Sequence, residues 1–248
     1  TAYEISACLV GSEMCIRDRI VYFTFQLPDD SNLKSYKPDV MTRIHDSNGQ
    51  LVKEFSREYR IFIPIENIPD SLKNAFISAE DKNFYNHIGI DPTGILRAII
   101  RNTYYFFSDK RPEGASTITQ QVAKNFLLND ELSLSRKAKE ALLAIKIDAT
   151  LSKSRILELY LNQIYLGEGT YGVAAASLEY FDKPITDLKY VESALLAALP
   201  KAPSRYNPYK NEKLAKFRRD LVLKNLFDNN FINTAQYNLS LIHISEPT

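Results

Sequence analysis

Tryptophan is absent from the 248 residues, and cysteine occurs only at Cys8 and Cys15. Two cysteines so placed give neither a disulfide framework nor a metal cluster. No apolar run approaches the roughly 20 residues that span a bilayer. Neither sign of charge dominates: the formal net charge is +1, so whole-chain electrostatics single out no partner and give no reason to expect nucleic acid. Internal repeats, low-complexity tracts and an internal linker are missing as well. What is present is a globular composition. Hydrophobic residues make up 45%, with 15 tyrosines and 13 phenylalanines in place of tryptophan. That supplies a sizeable core, for one large domain or two small ones.

Both ends read differently from the rest. Residues 1–19 and 238–248 match nothing between them, and their wording is that of translated sequencing-adapter read-through; both are set aside as non-native segments. Residues 20–39 open with Ile20–Leu27, apolar and aromatic, which fits a buried strand or the end of a membrane anchor followed by a linker. The domain proper is then expected over residues 40–237.

Val40–Phe55 alternates around Asn48-Gly49, a hairpin signal. Arg60–Ile65 reads as a third extended piece. From Asp70 onward the pattern is helical. Leu72, Ala75, Phe76 and Ala79 form one apolar stripe. Asp91-Pro92 opens a helix with Ile95, Leu96, Ile99 and Ile100 inward. It ends in the aromatic cluster Tyr104–Phe107, flanked by Arg97, Arg101, Lys110 and Arg111. Such a cluster fits either core or an element dipping into a bilayer surface. Ser116 is expected to cap a helix whose Thr117, Gln120, Gln121 and Lys124 share a donor-rich stripe suited to an anionic or sugar ligand. Ser133 is expected to cap a helix with Ala138, Ala141, Leu142, Ile145 and Ala149 inward. Cations at Arg136 and Lys137 oppose the dipole of that helix start and point to a bound anion. Ser152 caps a helix with Ile156, Leu157, Tyr160, Leu161 and Ile164 inward, and a basic helix is centred on Leu214, Phe217 and Leu221.

Glu80-Asp81 stands where the first of these helices ends. A carboxylate there, beside apolar groups, has its proton affinity raised. An isolated Glu-Asp pair would more simply be a solvated helix end.

Five stretches occur in a telling order: Glu80–His87, Glu113–Gln121 with Lys124 and Asn125, Arg136–Glu140, Lys153–Asn162 and Leu199–Ser204. Together they resemble the peptidoglycan glycosyltransferase domain of class A penicillin-binding proteins, glycosyltransferase family 51. The resemblance covers nearly everything between the two set-aside ends. It departs at Glu113, where the family usually has Gly or Gln. It implies a mainly α, lysozyme-like fold with a small N-terminal β-hairpin element and a membrane-proximal lobe. It implies polymerisation of lipid II on the outer face of the bacterial cytoplasmic membrane, with inversion and release of undecaprenyl pyrophosphate. The implied partners are lipid II, the growing glycan strand, the membrane surface and other cell-wall synthesis proteins. Residues beyond Pro208 resemble the connector to a transpeptidase domain, as in a fragment of a bifunctional parent.

By the same resemblance Glu80 is the general base and Glu140 the second essential carboxylate, the two facing each other across one cleft. Lys124, Arg136 and Lys137 would stabilise the leaving pyrophosphate, while Thr117, Gln120 and Gln121 would hold sugar or phosphate. Asp81, Phe84, His87, Lys153 and Asn162 would support them. No organic cofactor is implied; a divalent cation, Mg or Mn, at Glu140 is left open. Two other readings compete: a lysozyme-like hydrolase or lytic transglycosylase, and a non-catalytic wall-binding domain.

Overall fold

The computed structural model describes residues 27, 42–47, 51–55, 59–106, 114–127 and 134–242. Residues 1–19 lie outside them, as does all of 20–39 except Leu27, which packs half-buried against the core. The expected cap at Ser133 also falls outside.

The described chain is mainly helical. Strands β1 (Thr42–His45) and β2 (Leu51–Phe55) pair antiparallel, Thr42 opposite Phe55, as the Asn-Gly signal predicts. Strand β3 (Tyr59–Arg60) leaves that hairpin and joins a second sheet. It runs parallel to β5 (Thr170–Tyr171), which pairs antiparallel with β4 (Tyr165–Gly167). Helices follow as α1 (Asp70–Glu80), α2 (Pro92–Phe106), α3 (Ile118–Leu127), α4 (Leu134–Thr150) and α5 (Lys153–Gln163). After β4 and β5 come α6 (Val173–Phe181), α7 (Tyr190–Ala198), α8 (Glu212–Asp228) and α9 (Thr234–Ile242). The last helix therefore runs on into the 238–248 segment.

The core is built on α1, α5 and α7. Leu72, Ala75 and Phe76 are fully covered, and Phe76 meets Tyr160 of α5 edge-on, ring centroids 6.1 Å apart. The stripe of α5 is buried as its spacing predicts, from Ile156 to Ile164. Ser152 caps that helix by accepting from the Arg155 amide. Asn162 latches the incoming chain onto it. Its Oδ1 accepts from the Ile63 amide and its Nδ2 donates to the Ile63 carbonyl, both at 2.8 Å. Gly172 allows α6 to pack against this point. Its φ is +80°, and a Cβ there would come within 2.8 Å of the Asn162 carbonyl oxygen.

Two sequence expectations are corrected. Ile95, Leu96, Ile99 and Ile100 do not point inward; they are 36–63% exposed, and only Gly94 and Ala98 of that helix's first half face the interior. The covered stripe of α4 is Leu143, Ala144 and Ile147, one step round from the expected set, because it includes the carboxylate of Glu140. On α8, Phe217 and Leu221 are exposed and Arg218, Arg219, Val222 and Leu223 are buried.

Candidate active site

Glu80 closes α1 and sits half-buried at the edge of a cleft of about 820 Å³. Apolar periodicity carries α1 into the core, and the chain turns at Asp81, so the last side chain of the helix opens onto the cleft. Gln121 of α3 donates through Nε2 to Glu80 Oε2 at 2.8 Å. Burial pushes the Glu80 carboxyl above the ordinary glutamate range. The Gln121 hydrogen bond and the charges of Arg218 and Lys201 pull it back, and Asp81 pushes it up again. Beneath it the Tyr160 hydroxyl has no hydrogen-bond partner among the described residues. Burial, with the charges of Glu80 and Asp81, holds that phenol well above its usual range.

Asp81 fixes the geometry around Glu80. Its Oδ2 accepts from His87 Nε2 at 2.9 Å and from the Ile118 amide, the first of α3, at 3.0 Å. A carboxylate at a helix N-terminus is favoured by the dipole. His87 Nδ1 accepts from the Gly89 amide, which assigns the ring proton to Nε2. Lys153 donates to the His87 carbonyl at 2.6 Å and lies 4.9 Å from the centroid of the buried Phe84 ring. Asp81, Phe84, His87 and Lys153 thus form one brace, and Asn162 holds the chain at Ile63.

The donor-rich stripe of α3 divides. The cap of α3 is Thr117, one residue after the expected Ser116. The Gln120 amide donates to Thr117 Oγ1, and the Thr117 amide to Gln120 Oε1. Thr117 Oγ1 also donates to the Gly89 carbonyl at 2.6 Å. Both side chains are almost fully covered, so as sugar or phosphate contacts they are corrected to structural parts. Gln121 alone of the stripe reaches Glu80. Lys124 is exposed and makes no hydrogen bond among the described residues.

Glu140 is 3% exposed. It pairs with Lys137, whose Nζ also donates to Ser116 Oγ at 2.8 Å. Both carboxylates are therefore tied to the start of α3. The Lys137 ammonium sits on one oxygen of Glu140, and no cluster of three His, Cys, Asp or Glu side chains that could hold a metal stands among the described residues.

A second set of cations lines the cleft at Glu80. The cations there are Lys82, Arg97, Arg101, Lys201, Arg205 and Arg218, against the acids Glu80, Asp81 and Asp228. Arg218 is 7% exposed, and its Nε has no hydrogen-bond partner among the described residues. Sequence reasoning noticed Arg97 and Arg101 only as flanks of an aromatic cluster, and it missed the last three. Lys201 and Arg205 stand in and beside the fifth motif, which was a signal; Arg218 is hidden among the other basic residues of α8.

Residues 48–227 match the family described as Transglycosylase. The chain belongs to this family. The expectation of a peptidoglycan glycosyltransferase domain is met on that match. The transglycosylase is 52% identical over 230 residues to penicillin-binding protein 1A of Rickettsia typhi, covering 92% of this chain and 29% of that protein. It is 48% identical over 211 residues to penicillin-binding protein 1A of Aquifex aeolicus, covering 85% of this chain. A crystal structure of penicillin-binding protein 1A from Haemophilus influenzae is similar with a TM-score of 0.52 and 25% identity, over 86% of this chain and 22% of that one. The chain spans under a third of the length of these relatives.

Proposed function

We propose that this transglycosylase polymerises lipid II, with Glu80 as general base. The acceptor sugar 4-hydroxyl attacks the anomeric carbon of the growing strand. A carbon–oxygen bond forms there as the bond to the pyrophosphate oxygen breaks, with inversion. The hydroxyl proton passes to Glu80, and undecaprenyl pyrophosphate leaves with the negative charge. A positioned base contributes about 10²–10⁴-fold to such a step.

The observation that carries this reading is the pairing of a half-buried Glu80 with six cations in one cleft. Gln121 orients the carboxylate and supports its ionised form, as a base requires. A neutral sugar leaving group would have no use for the cations, whereas a pyrophosphate is stabilised by them as charge gathers. Arg218, buried with its Nε unpartnered, is suited to an anionic oxygen.

The exposed face of α2 supports a membrane-surface location. Leu96, Ile99, Ile100 and Tyr104 are each more than half exposed, next to Ile88 at 66%. Burying an apolar side chain fully gives about 1.5–3 kcal/mol, so this face offers on the order of 5 kcal/mol to a bilayer. It supports a position against the outer leaflet of the cytoplasmic membrane, where lipid II is presented. Other cell-wall synthesis proteins are natural neighbours there.

The hydrolase reading draws on the raised proton affinity of Glu80, since a glycosidase acid is kept protonated in the same way. Incubation with lipid II and, separately, with purified peptidoglycan separates the two. Glycan strands from lipid II with no solubilised wall fragments are expected; the reverse pattern would overturn the proposal.

A further inference from the structure

Strands β4 and β5 are joined by the two residues Glu168 and Gly169, with φ of +45° and +74°. Positive φ at both central positions makes a turn of the type I′ kind, where Asn-Gly or Asp-Gly is the favoured pair. A glutamate here is held in a conformation unfavourable for its side chain, and an aspartate or asparagine would relieve it. What the longer side chain provides is reach. Glu168 Oε1 accepts from Asn207 Nδ2 and pairs with Lys210 at 3.0 Å, about forty residues on. Those contacts hold its carboxyl below the ordinary range, the Lys210 hydrogen bond first. Asn207 is 1% exposed and turns its Oδ1 onto the Tyr209 amide. Tyr209 in turn stacks on Tyr180 and donates to the Glu179 carbonyl.

The segment so pinned is the loop between α7 and α8. It consists of successive turns, Arg205 and Tyr206 both donating to the Ala202 carbonyl. Its first half lines the cleft with Lys201, Ala202, Arg205 and Tyr206. Glu168 itself lies outside the cleft. The only strained non-glycine residue of the β4–β5 turn is thus the one that anchors the loop carrying two cleft cations.

We propose that Glu168 is a positioning residue: from a strained turn it holds the 201–210 loop so that Lys201 and Arg205 present their charges to the anionic substrate. The functional half of this rests on the lipid II reading; the anchoring half does not. Three proteins test it: the unaltered chain, Glu168→Asn and Glu168→Gln. Glu168→Asn suits the turn but is too short to reach Asn207, so its Tm should equal or exceed that of the unaltered chain. Hydrogen exchange at the backbone amides of the loop should nevertheless accelerate. The kcat/KM for lipid II should fall about fivefold, KM rising and kcat falling together, since the cations hold the pyrophosphate in the substrate and more strongly as charge gathers on it. Glu168→Gln keeps an acceptor for Asn207 and should recover most of the loss. A lower Tm with unchanged loop exchange would overturn the proposal, as would faster exchange with an unchanged kcat/KM. If the unaltered chain fails to polymerise lipid II, the functional reading falls, and unchanged exchange in Glu168→Asn would separately refute the anchor.

Discussion

In the proposed reaction a single carboxylate acts as the base, and its surroundings decide when it can act. Burial raises the proton affinity of Glu80 in the folded state, while in the unfolded chain it titrates as an ordinary glutamate. The folded protein then binds this proton more tightly than the unfolded one. The stability it contributes is full below the unfolded pKa and is lost as pH rises through the folded value. At neutral pH the ionised group is therefore a stability cost. Glu80→Gln is expected to raise the Tm at neutral pH while lowering glycan synthesis by at least about 10²-fold, read by calorimetry and a lipid II assay. A base must be deprotonated, so the acid limb of the rate should lie above the ordinary glutamate range. Lys201 is one of the charges that pull Glu80 down, so Lys201→Gln should move that limb to higher pH. A limb that stays put would separate Lys201 from the base. The helix end at Glu80 was legible because apolar periodicity stops beside it, and its role came from the resemblance carried by the ordered motifs. Arg218 was not: nothing local distinguishes it from Lys213 or Lys216, and only the packing of α8 buries it beside the cleft.

Elements were legible in proportion to how local their cause is. The caps at Asp91 and Ser152 and the stripe of α5 depend on residues within a turn or two, and they stand as read. The sheet of β3, β5 and β4 is built from strands of two or three residues, and β3 finds its parallel partner more than a hundred residues away. No periodicity can record that. The same distance makes Asn162 a test of the architecture. Asn162→Ala removes both hydrogen bonds to Ile63 and leaves that amide unpaired, which should cost about 2–4 kcal/mol in urea unfolding at pH 7. A loss under about 0.5 kcal/mol would mean the segment at Ile63 holds without its latch. Helix α2 misled for the opposite reason. Its apolar residues follow helical spacing faithfully, and spacing says which side chains share a face without saying what covers it. Leu96→Glu with Ile100→Glu should leave the Tm unchanged, because both sites are exposed. Sedimentation with anionic lipid vesicles should fall at least tenfold, and unaltered vesicle binding would remove the membrane from the account.

Across the whole molecule the near-neutral net charge conceals a polarised layout. Six cations gather at one cleft, and α2 contributes two of them, Arg97 and Arg101, together with Tyr105. The neighbouring faces of that same helix are the exposed apolar ones. On the proposed reading, headgroup and tail of a lipid-linked substrate can thus be met by one helix at once, its diphosphate by the arginines and its chain still in the bilayer beside Leu96 and Ile100. A substrate that never leaves its leaflet reaches the site by travel in two dimensions. The quantity that sets the rate is then its mole fraction in the surface, not its concentration in the sample. Diluting a fixed amount of lipid II with inert lipid should slow synthesis, while diluting the same vesicles with buffer, once the protein is bound, should leave it nearly unchanged.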